Sequence, residues 1–224
     1  MQSNLGFARG NNVGFEIAKK EYKADFIVLM NNDILIQQSD FCDVICQKYE
    51  QYHYAVMGPK VYLKDRTYHS NPIEPGRYKA YAQRAAQMIT VLKYFGTFLD
   101  LDIVSSQKHD DKQSQSYETF YDEDTLNYKL HGCCLIFSRE YIDKFNGLNP
   151  NTFLYMEEDI LFVRLRNNKL ISLYSPDLWL THLEDAATDK MMKSGKKKRR
   201  FIYKNHIKSY NALIREIKDG TRRV

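Results

Sequence analysis

The chain has 224 residues, 43% of them hydrophobic and 27% charged, a composition typical of a soluble globular protein large enough for one α/β domain. No apolar run approaches the ~20 residues of a membrane-spanning helix, and the first residues lack the apolar core of a signal peptide. Residues 190–224 carry 13 Lys and Arg against two acids, a net charge of +11, which leaves −6 for residues 1–189 out of the overall +5. We therefore divide the chain into a mildly acidic body, residues 1–189, and a basic tail, residues 190–224.

The first motif is a run rich in glycine and asparagine, residues 4–14. This composition predicts a loop whose backbone bends tightly or approaches a ligand closely. The spacing is not G-x-G-x-x-G, and the lysine of a P-loop is absent. A helix is predicted to follow over residues 15–22.

A five-residue apolar run, Phe26–Met30, predicts a strand that is buried on both faces, as in a parallel sheet. The strand ends at Asn31, Asn32 and Asp33, where open α/β sheets bind their ligands. Carboxylate and amide oxygens there suit Mg²⁺ or Mn²⁺. The same triplet is also explained by an ordinary turn, because Asn and Asp favour turns through local hydrogen bonds.

The middle of the chain alternates between clear and weak patterns. An apolar face predicts a helix over residues 40–52, and a strand is predicted at residues 55–61. From Asn71 to Tyr128 the pattern weakens, and we expect the variable part of the fold there, with a polar loop at residues 107–116. The pattern is clear again over residues 129–137, where a strand is predicted at residues 131–137, with a short helix after it.

Four cysteines, Cys42, Cys46, Cys133 and Cys134, show neither zinc-ligand spacing nor a C-x-x-C pair. We expect all four to be reduced residues of the core in a cytosolic protein.

Three successive acids, Glu157, Glu158 and Asp159, open a predicted helix that ends near Asn168. Acids in a first turn interact favourably with the helix dipole, by about 0.3–1 kcal/mol each, which is a purely structural explanation. Three acids exceed what capping requires, and their crowding raises the pKa of at least one, as suits a general base. The residues alone leave both explanations open.

The body closes with predicted strands at residues 170–174 and 178–182. Trp179 could stack on a sugar or belong to the core, and a lone histidine such as His182 is more often structural than a ligand. In the tail, apolar residues at 4-3-4-3 spacing predict a long amphipathic helix. Because this helix follows the basic run 196–200, the pattern favours an anionic membrane surface over nucleic acid.

Taken in order, these motifs resemble the family 2 glycosyltransferases, especially the rhamnosyltransferase-like members, over residues 4 to about 184. The glycine-rich run resembles the family's nucleotide-sugar loop, and Leu29–Asp33 resembles the strand that ends in its D-x-D-type metal motif. The later motifs resemble the strand before the acceptor site, the acidic helix, and the histidine after the last core strand: Gly132–Phe137, Phe153–Asp159 with Arg164, and His182.

The resemblance implies a GT-A fold, which is a Rossmann-like mixed α/β sheet that binds a nucleotide-diphosphate sugar. It implies transfer of the sugar with inversion to a saccharide or lipid-linked acceptor, in cell-surface polysaccharide synthesis. The basic tail would hold such an enzyme at the inner face of the cell membrane. The implied donor-binding residues are Asn4, Gly6, Gly10, Asn11, Asn12, Asn32 and Asp33. The implied acceptor-binding residues are His131, Gly132 and Trp179. Asp33 and His182 would hold Mg²⁺ or Mn²⁺. Glu158 would be the base, with Asp159 as its rival and Glu157 orienting the acceptor.

The chain departs from the family pattern in two ways. The metal motif begins with Asn rather than Asp, and the family begins with two more strand–helix units, roughly 60 residues. We therefore expect a bare sheet edge, which would favour a partner or a homo-oligomer. Two alternatives remain: a catalytically inactive fragment or partner subunit of a glycosyltransferase, and a basic nucleic-acid-binding protein.

Overall fold

The computed structural model describes residues 4–63, 71–99, 122–183 and 195–221. Within these ranges the helices are α1 (Phe7–Lys20), α2 (Phe41–Tyr52), α3 (Ala80–Gly96), α4 (Arg139–Ile142), α5 (Glu157–Asn167) and α6 (Gly195–Thr221). The strands are β1 (Phe26–Met30), β2 (Ile34–Leu35), β3 (Val56–Leu63), β4 (Thr125–Leu126), β5 (Cys134–Ser138) and β6 (Ser172–His182).

The strands form one mixed sheet in the order β1-β5-β3-β6-β2, with β4 paired to β6. The β3–β6 pair is parallel and the other pairs are antiparallel. The predicted strands at residues 170–174 and 178–182 are a single strand, β6. Its pairing with β3 shifts register between Pro59, opposite Ser175, and Lys60, opposite Trp179, which is where the two predicted strands were separated.

The core lies on both faces of the sheet, as the alternation of side chains in strands requires. On one face Leu135 and Phe137 pack with the buried side of α1, α4 and α5. On the other face Cys134 and Ile136 pack with α2. The fold is therefore α/β, with helices covering both faces of a mixed sheet.

Strand β1 differs from its prediction. Its register with β5 is antiparallel, from Phe26 opposite Ser138 to Met30 opposite Cys134. No strand of the described ranges pairs with its other edge, and Met30 is 47% exposed. The apolar run reflects packing on both faces of the sheet, but periodicity carries no information about strand direction or about which strand lies at an edge.

Helix α3 lies in the stretch where the sequence pattern was weak. It packs along α6, which in turn packs on α5 through the third apolar cluster of the protein, with Ile160, Val163, Leu213 and Ile217. The amphipathic helix predicted in the tail is thus present, and part of its apolar side is buried against the body. The polar loop predicted at residues 107–116 lies outside the described residues.

The structure also bears on the predictions for the cysteines and for membrane-spanning helices. All four cysteines are free, but only Cys133 and Cys134 are buried, whereas Cys42 and Cys46 lie on the exposed side of α2, so the prediction of core positions was wrong for these two. Across the described part of the chain, no helix combines the length and the apolarity needed to cross a bilayer.

Candidate functional site

A cavity of about 240 Å³ lies where β1 ends and β5 begins. Its wall combines the start of α1, the end of β1, the approach to β5 and the segment that leads into α5. The residues that line it are Phe7, Asn31, His131, Gly132, Cys133, Leu135, Leu148, Leu154, Tyr155, Met156, Glu157 and Glu158. Two acids thus face a largely apolar cleft at the end of a strand, the setting in which small-molecule sites are usually found.

Glu158 is held in the cavity wall by a backbone hydrogen bond. The Gly132 N–H donates to its Oε1 at 2.6 Å. A Cβ added at Gly132 would lie 2.9 Å from that same oxygen, so only glycine lets the carboxylate approach this closely. Burial raises the pKa of Glu158, while the hydrogen bond from Gly132 and the charge of Lys129 oppose the rise.

The Glu157 carboxylate is also partly buried, but fewer hydrogen bonds replace the solvent that it has lost. Among the described residues its Oε1 has no hydrogen-bond partner. Burial raises the pKa of Glu157, and contacts with its own backbone N–H and with Thr152 oppose that rise. The sequence predicted a raised pKa in this triplet from crowding, but the larger cause for both glutamates is loss of solvent.

Asp159 faces away from the cavity. It accepts a hydrogen bond from Lys129 Nζ at 3.0 Å and another from the hydroxyl of Tyr78. One turn of helix therefore divides the three acids between two environments: Glu157 and Glu158 line the cavity, and Asp159 forms a partly buried ion pair.

The backbone before α5 aims the two glutamates. Tyr155 and Met156 both adopt left-handed conformations, with φ of 74° and 68°. Such conformations are uncommon for residues other than glycine, and they concentrate at functional sites. Here they end the loop and start the helix at Glu157, so that its first turn faces the cavity.

Asp33 and His182 form a second polar group. His182 Nε2 lies 3.1 Å from Asp33 Oδ1, and the two side chains are 10% and 22% exposed. The pairing of β2 with β6 brings them together, because Ile34 lies opposite His182 and the Leu183 N–H donates to the Asp33 carbonyl. A carboxylate oxygen and an imidazole nitrogen this close could bind one divalent cation.

Cys133 lines the cavity and is within range of the charges of both polar groups. Burial raises the pKa of the Cys133 thiol to about 12, and the charges of Glu158 and Asp33 both add to the rise. The Cys133 carbonyl also accepts from the Asn31 N–H at 2.9 Å. Only tertiary pairing of β1 with β5 creates this proximity, since about 100 residues separate the partners along the chain.

The glycine-rich segment is mostly helix rather than loop, so that prediction was wrong. Helix α1 begins at Phe7, and Gly10, Asn11 and Asn12 lie inside it. A Cβ at Gly10 would meet nothing within 4 Å, whereas at Gly6, with φ of 79°, it would lie 2.5 Å from the Phe153 carbonyl. The close approach expected of this segment is therefore present at Gly6, and it is to the protein's own backbone.

The asparagines of this segment make hydrogen bonds within the protein. Asn4 accepts from the Gly6 N–H, and Asn11 donates to the Phe7 carbonyl. Asn12 both donates to the Leu148 carbonyl and accepts from the Leu148 N–H.

The remaining predicted residues are divided between the cavity and the surface. His131 and Gly132 line the cavity, Asn32 is exposed, and Trp179 lines a separate cavity of about 320 Å³ with Gln37, Tyr62 and Thr181. Phe7, Leu154 and Tyr155 lie within motifs that the resemblance used, but sequence reasoning gave none of them a role at the site, because they carry no chemical signal of their own. It also gave no separate role to Asn31, although the residue lies in the recognised strand-end triplet.

The chain matches no protein-family model, no curated protein and no solved structure. What the site can do therefore rests on the residues that form it.

Proposed function

We propose that this protein is a GT-A-type glycosyltransferase, which moves a sugar from a nucleotide diphosphate to a hydroxyl of a saccharide or lipid-linked acceptor with inversion. The observation that carries the proposal is the partly buried pair Glu157 and Glu158 in a cleft at the end of β1, with Asp33 of the Asp33–His182 pair following the same strand. The site thus offers a shielded carboxylate near a group suited to a cation, as transfer from a charged diphosphate requires.

Glu158 is the proposed base. Its carboxylate would take the proton of the acceptor hydroxyl while that oxygen attacks the anomeric carbon and the bond to the diphosphate breaks. Burial raises the pKa of Glu158 toward the range in which a carboxylate is an efficient base. Asp159 is less suited to this role, since Lys129 and Tyr78 already occupy its carboxylate.

Asp33 and His182 are the proposed ligands of Mg²⁺ or Mn²⁺. The described residues contain no cluster of three or more His, Cys, Asp or Glu that could hold a metal by itself. Two protein ligands would leave coordination positions for phosphate oxygens and water, so metal and donor would bind together. When bound, the cation would neutralise charge on the departing diphosphate.

The proposal is tested by calorimetric titration of the purified chain with UDP, GDP and dTDP, each with and without Mn²⁺. Binding of one nucleotide that requires the metal is the expected result, and it would name the donor class. A folded protein that binds none of them would contradict the proposal and favour an inactive fragment or partner subunit.

Turnover is tested with the glutamine variant of the proposed base. We expect Glu158→Gln to lower kcat by about 10²–10⁴-fold, because an amide cannot accept the proton, while nucleotide affinity is retained. Asp33→Ala should abolish both metal-dependent binding and transfer. The matched control is Glu50→Gln on the exposed side of α2, which should behave as wild type. Normal turnover by Glu158→Gln would exclude Glu158 as the base.

A further inference from the structure

Helix α3 is oriented with its polar side toward the protein. Gln87, Thr90 and, in the turn after the helix, Thr97 are all less than 10% exposed. Gln87 donates to the Ile207 carbonyl of α6 at 2.7 Å, and Arg200 of α6 donates to both the hydroxyl and the carbonyl of Thr97. Hydrogen bonds thus join α3 to α6 at two places along their contact.

The outward side of α3 is apolar. Along the helix and the turn after it, seven large apolar side chains are each more than half exposed: Tyr81, Met88, Ile89, Leu92, Phe95, Phe98 and Leu99. Their spacing places most of them on one stripe of the helix surface. Surface helices usually present the opposite arrangement, and a contiguous exposed apolar surface of this kind marks an interaction site.

The charged residues of α3, of the segment just before it and of the first part of α6 are all cationic. Residues 75–99 contain four Lys and Arg and no acid, and residues 195–215 of α6 contain eight and no acid. Arg84 and Lys93 lie on opposite flanks of the stripe by helical spacing, and Arg200 stacks on the Phe98 ring with its guanidinium carbon 3.9 Å from the ring centre. The basic run 196–200 therefore reaches the end of the stripe.

We propose that α3 is an interfacial helix, which inserts its apolar stripe into the headgroup region of an anionic lipid surface while the cations of α3 and α6 attract the phosphates. An apolar face flanked by Lys and Arg is what such binding requires, and each cation near the leaflet strengthens partitioning about fivefold. The tail helix α6 cannot supply the apolar contact itself, because Leu213, Ile214 and Ile217 are buried in the protein.

Charge argues for lipid over other occupants of this surface. Two copies of the chain docking through α3 would bring cationic flanks together, which is unfavourable. Nucleic acid would use the cations but would leave seven large apolar side chains exposed. The proposal needs no catalytic activity, so it holds or fails independently of the proposed glycosyl transfer.

The test is co-sedimentation of the full chain with vesicles of phosphatidylcholine alone or with 30% phosphatidylglycerol. We expect binding to the anionic vesicles and little binding to the neutral ones. Leu92→Gln/Phe95→Gln should weaken binding about tenfold or more. The matched control is Val13→Gln/Ile17→Gln, two exposed apolar residues one turn apart on α1, which should bind as wild type.

The contribution of charge is tested separately. Lys196→Gln/Lys197→Gln should weaken vesicle binding and reduce its salt dependence, whereas Lys20→Gln/Lys144→Gln, exposed lysines away from α3, should not. Circular dichroism of each variant checks that the fold is retained.

Four results would overturn the proposal. The first is wild-type protein that ignores anionic vesicles. The second is a dimer in sedimentation equilibrium that dissociates in the α3 variant while vesicle binding is absent. The third is salt-sensitive binding to random RNA or DNA without binding to vesicles. Equal vesicle binding by the α3 and α1 variants would likewise remove α3 from the contact.

Discussion

Glu157 and Glu158 face the same cavity from adjacent positions, yet their carboxylates differ in their hydrogen-bond partners. Glu158 has the Gly132 N–H at 2.6 Å, while one oxygen of Glu157 has no partner among the described residues. An ionised carboxylate in that condition costs the folded state free energy, since it has lost water without full replacement. Proteins keep such groups where function uses them, at the expense of stability.

Glu157→Gln is therefore expected to stabilise the protein near pH 7.5, by about 1 kcal/mol. The sign follows from the raised pKa of Glu157 in the folded state. Below the unfolded pKa the acid is protonated in both states and costs nothing. As the pH rises through the folded pKa, wild type loses stability that the neutral amide does not lose.

Urea denaturation at pH 7.5 and pH 4.0 measures this difference in the free energy of unfolding. The advantage of the variant should shrink at the lower pH, and Glu50→Gln should show no advantage at either. An advantage of equal size at both values would mean that burial of the ionised form is not its cause.

Among the elements, α1 illustrates how a sequence motif can serve structure. Asn12 makes two hydrogen bonds to Leu148, of 2.8 and 2.7 Å, and Lys19 donates to the Phe145 carbonyl and to Asn146. These contacts fasten α1 to the loop after α4. Asn12 thus contacts the protein's own backbone, and the donor-binding role that the resemblance implies for it stays a prediction.

Asn12→Ala should lower the free energy of unfolding by about 2–3 kcal/mol, because it leaves the Leu148 N–H and carbonyl without partners in a partly buried place. Asn11→Ala, the adjacent control, loses one hydrogen bond within its own helix and should cost well below about 1 kcal/mol. Chemical denaturation measures both. Loss of nucleotide affinity by Asn12→Ala with unchanged stability would instead return Asn12 to the donor site.

At the scale of the whole molecule, Arg164 connects three parts of the fold. From α5 it donates to the Tyr141 hydroxyl of α4 at 3.0 Å and to the Gly147 carbonyl at 3.1 Å, and it reaches Glu216 of α6 at 3.4 Å. Its side chain is 11% exposed. Because this largely buried guanidinium contacts α4, the loop after α4 and α6 at once, it holds the tail helix against the body.

Arg164→Met should cost about 3–5 kcal/mol, because it leaves the largely buried Glu216 carboxylate without its ion-pair partner. Arg166→Met, an exposed arginine two residues further along α5, is the control and should change stability little. Thermal and urea unfolding compare the two. A small effect of Arg164→Met would mean that apolar packing of α6 on α5 suffices to hold the tail.

Local patterns in the sequence predicted α2, α5, the tail helix and the strands β1, β3 and β5, and they predicted β6 as two separate strands. It did not reveal α3, whose buried residues Gln87 and Thr90 are polar. It also misread residues 7–14 as a loop, because the glycines there suggested close approaches that in fact occur only at Gly6.

Of the candidate site, the sequence by itself determined which residues could do chemistry: Asp33 after an apolar strand, His182 near the end of another, and a triplet of acids at a helix start. Only the tertiary structure decided their arrangement. Strand pairing brought Asp33 to His182, and the first turn of α5 sent Glu158 into the cavity and Asp159 to Lys129. Residue types and local patterns are properties of the sequence itself. Distances between remote residues, and the burial that shifts a pKa, exist only once the chain has folded.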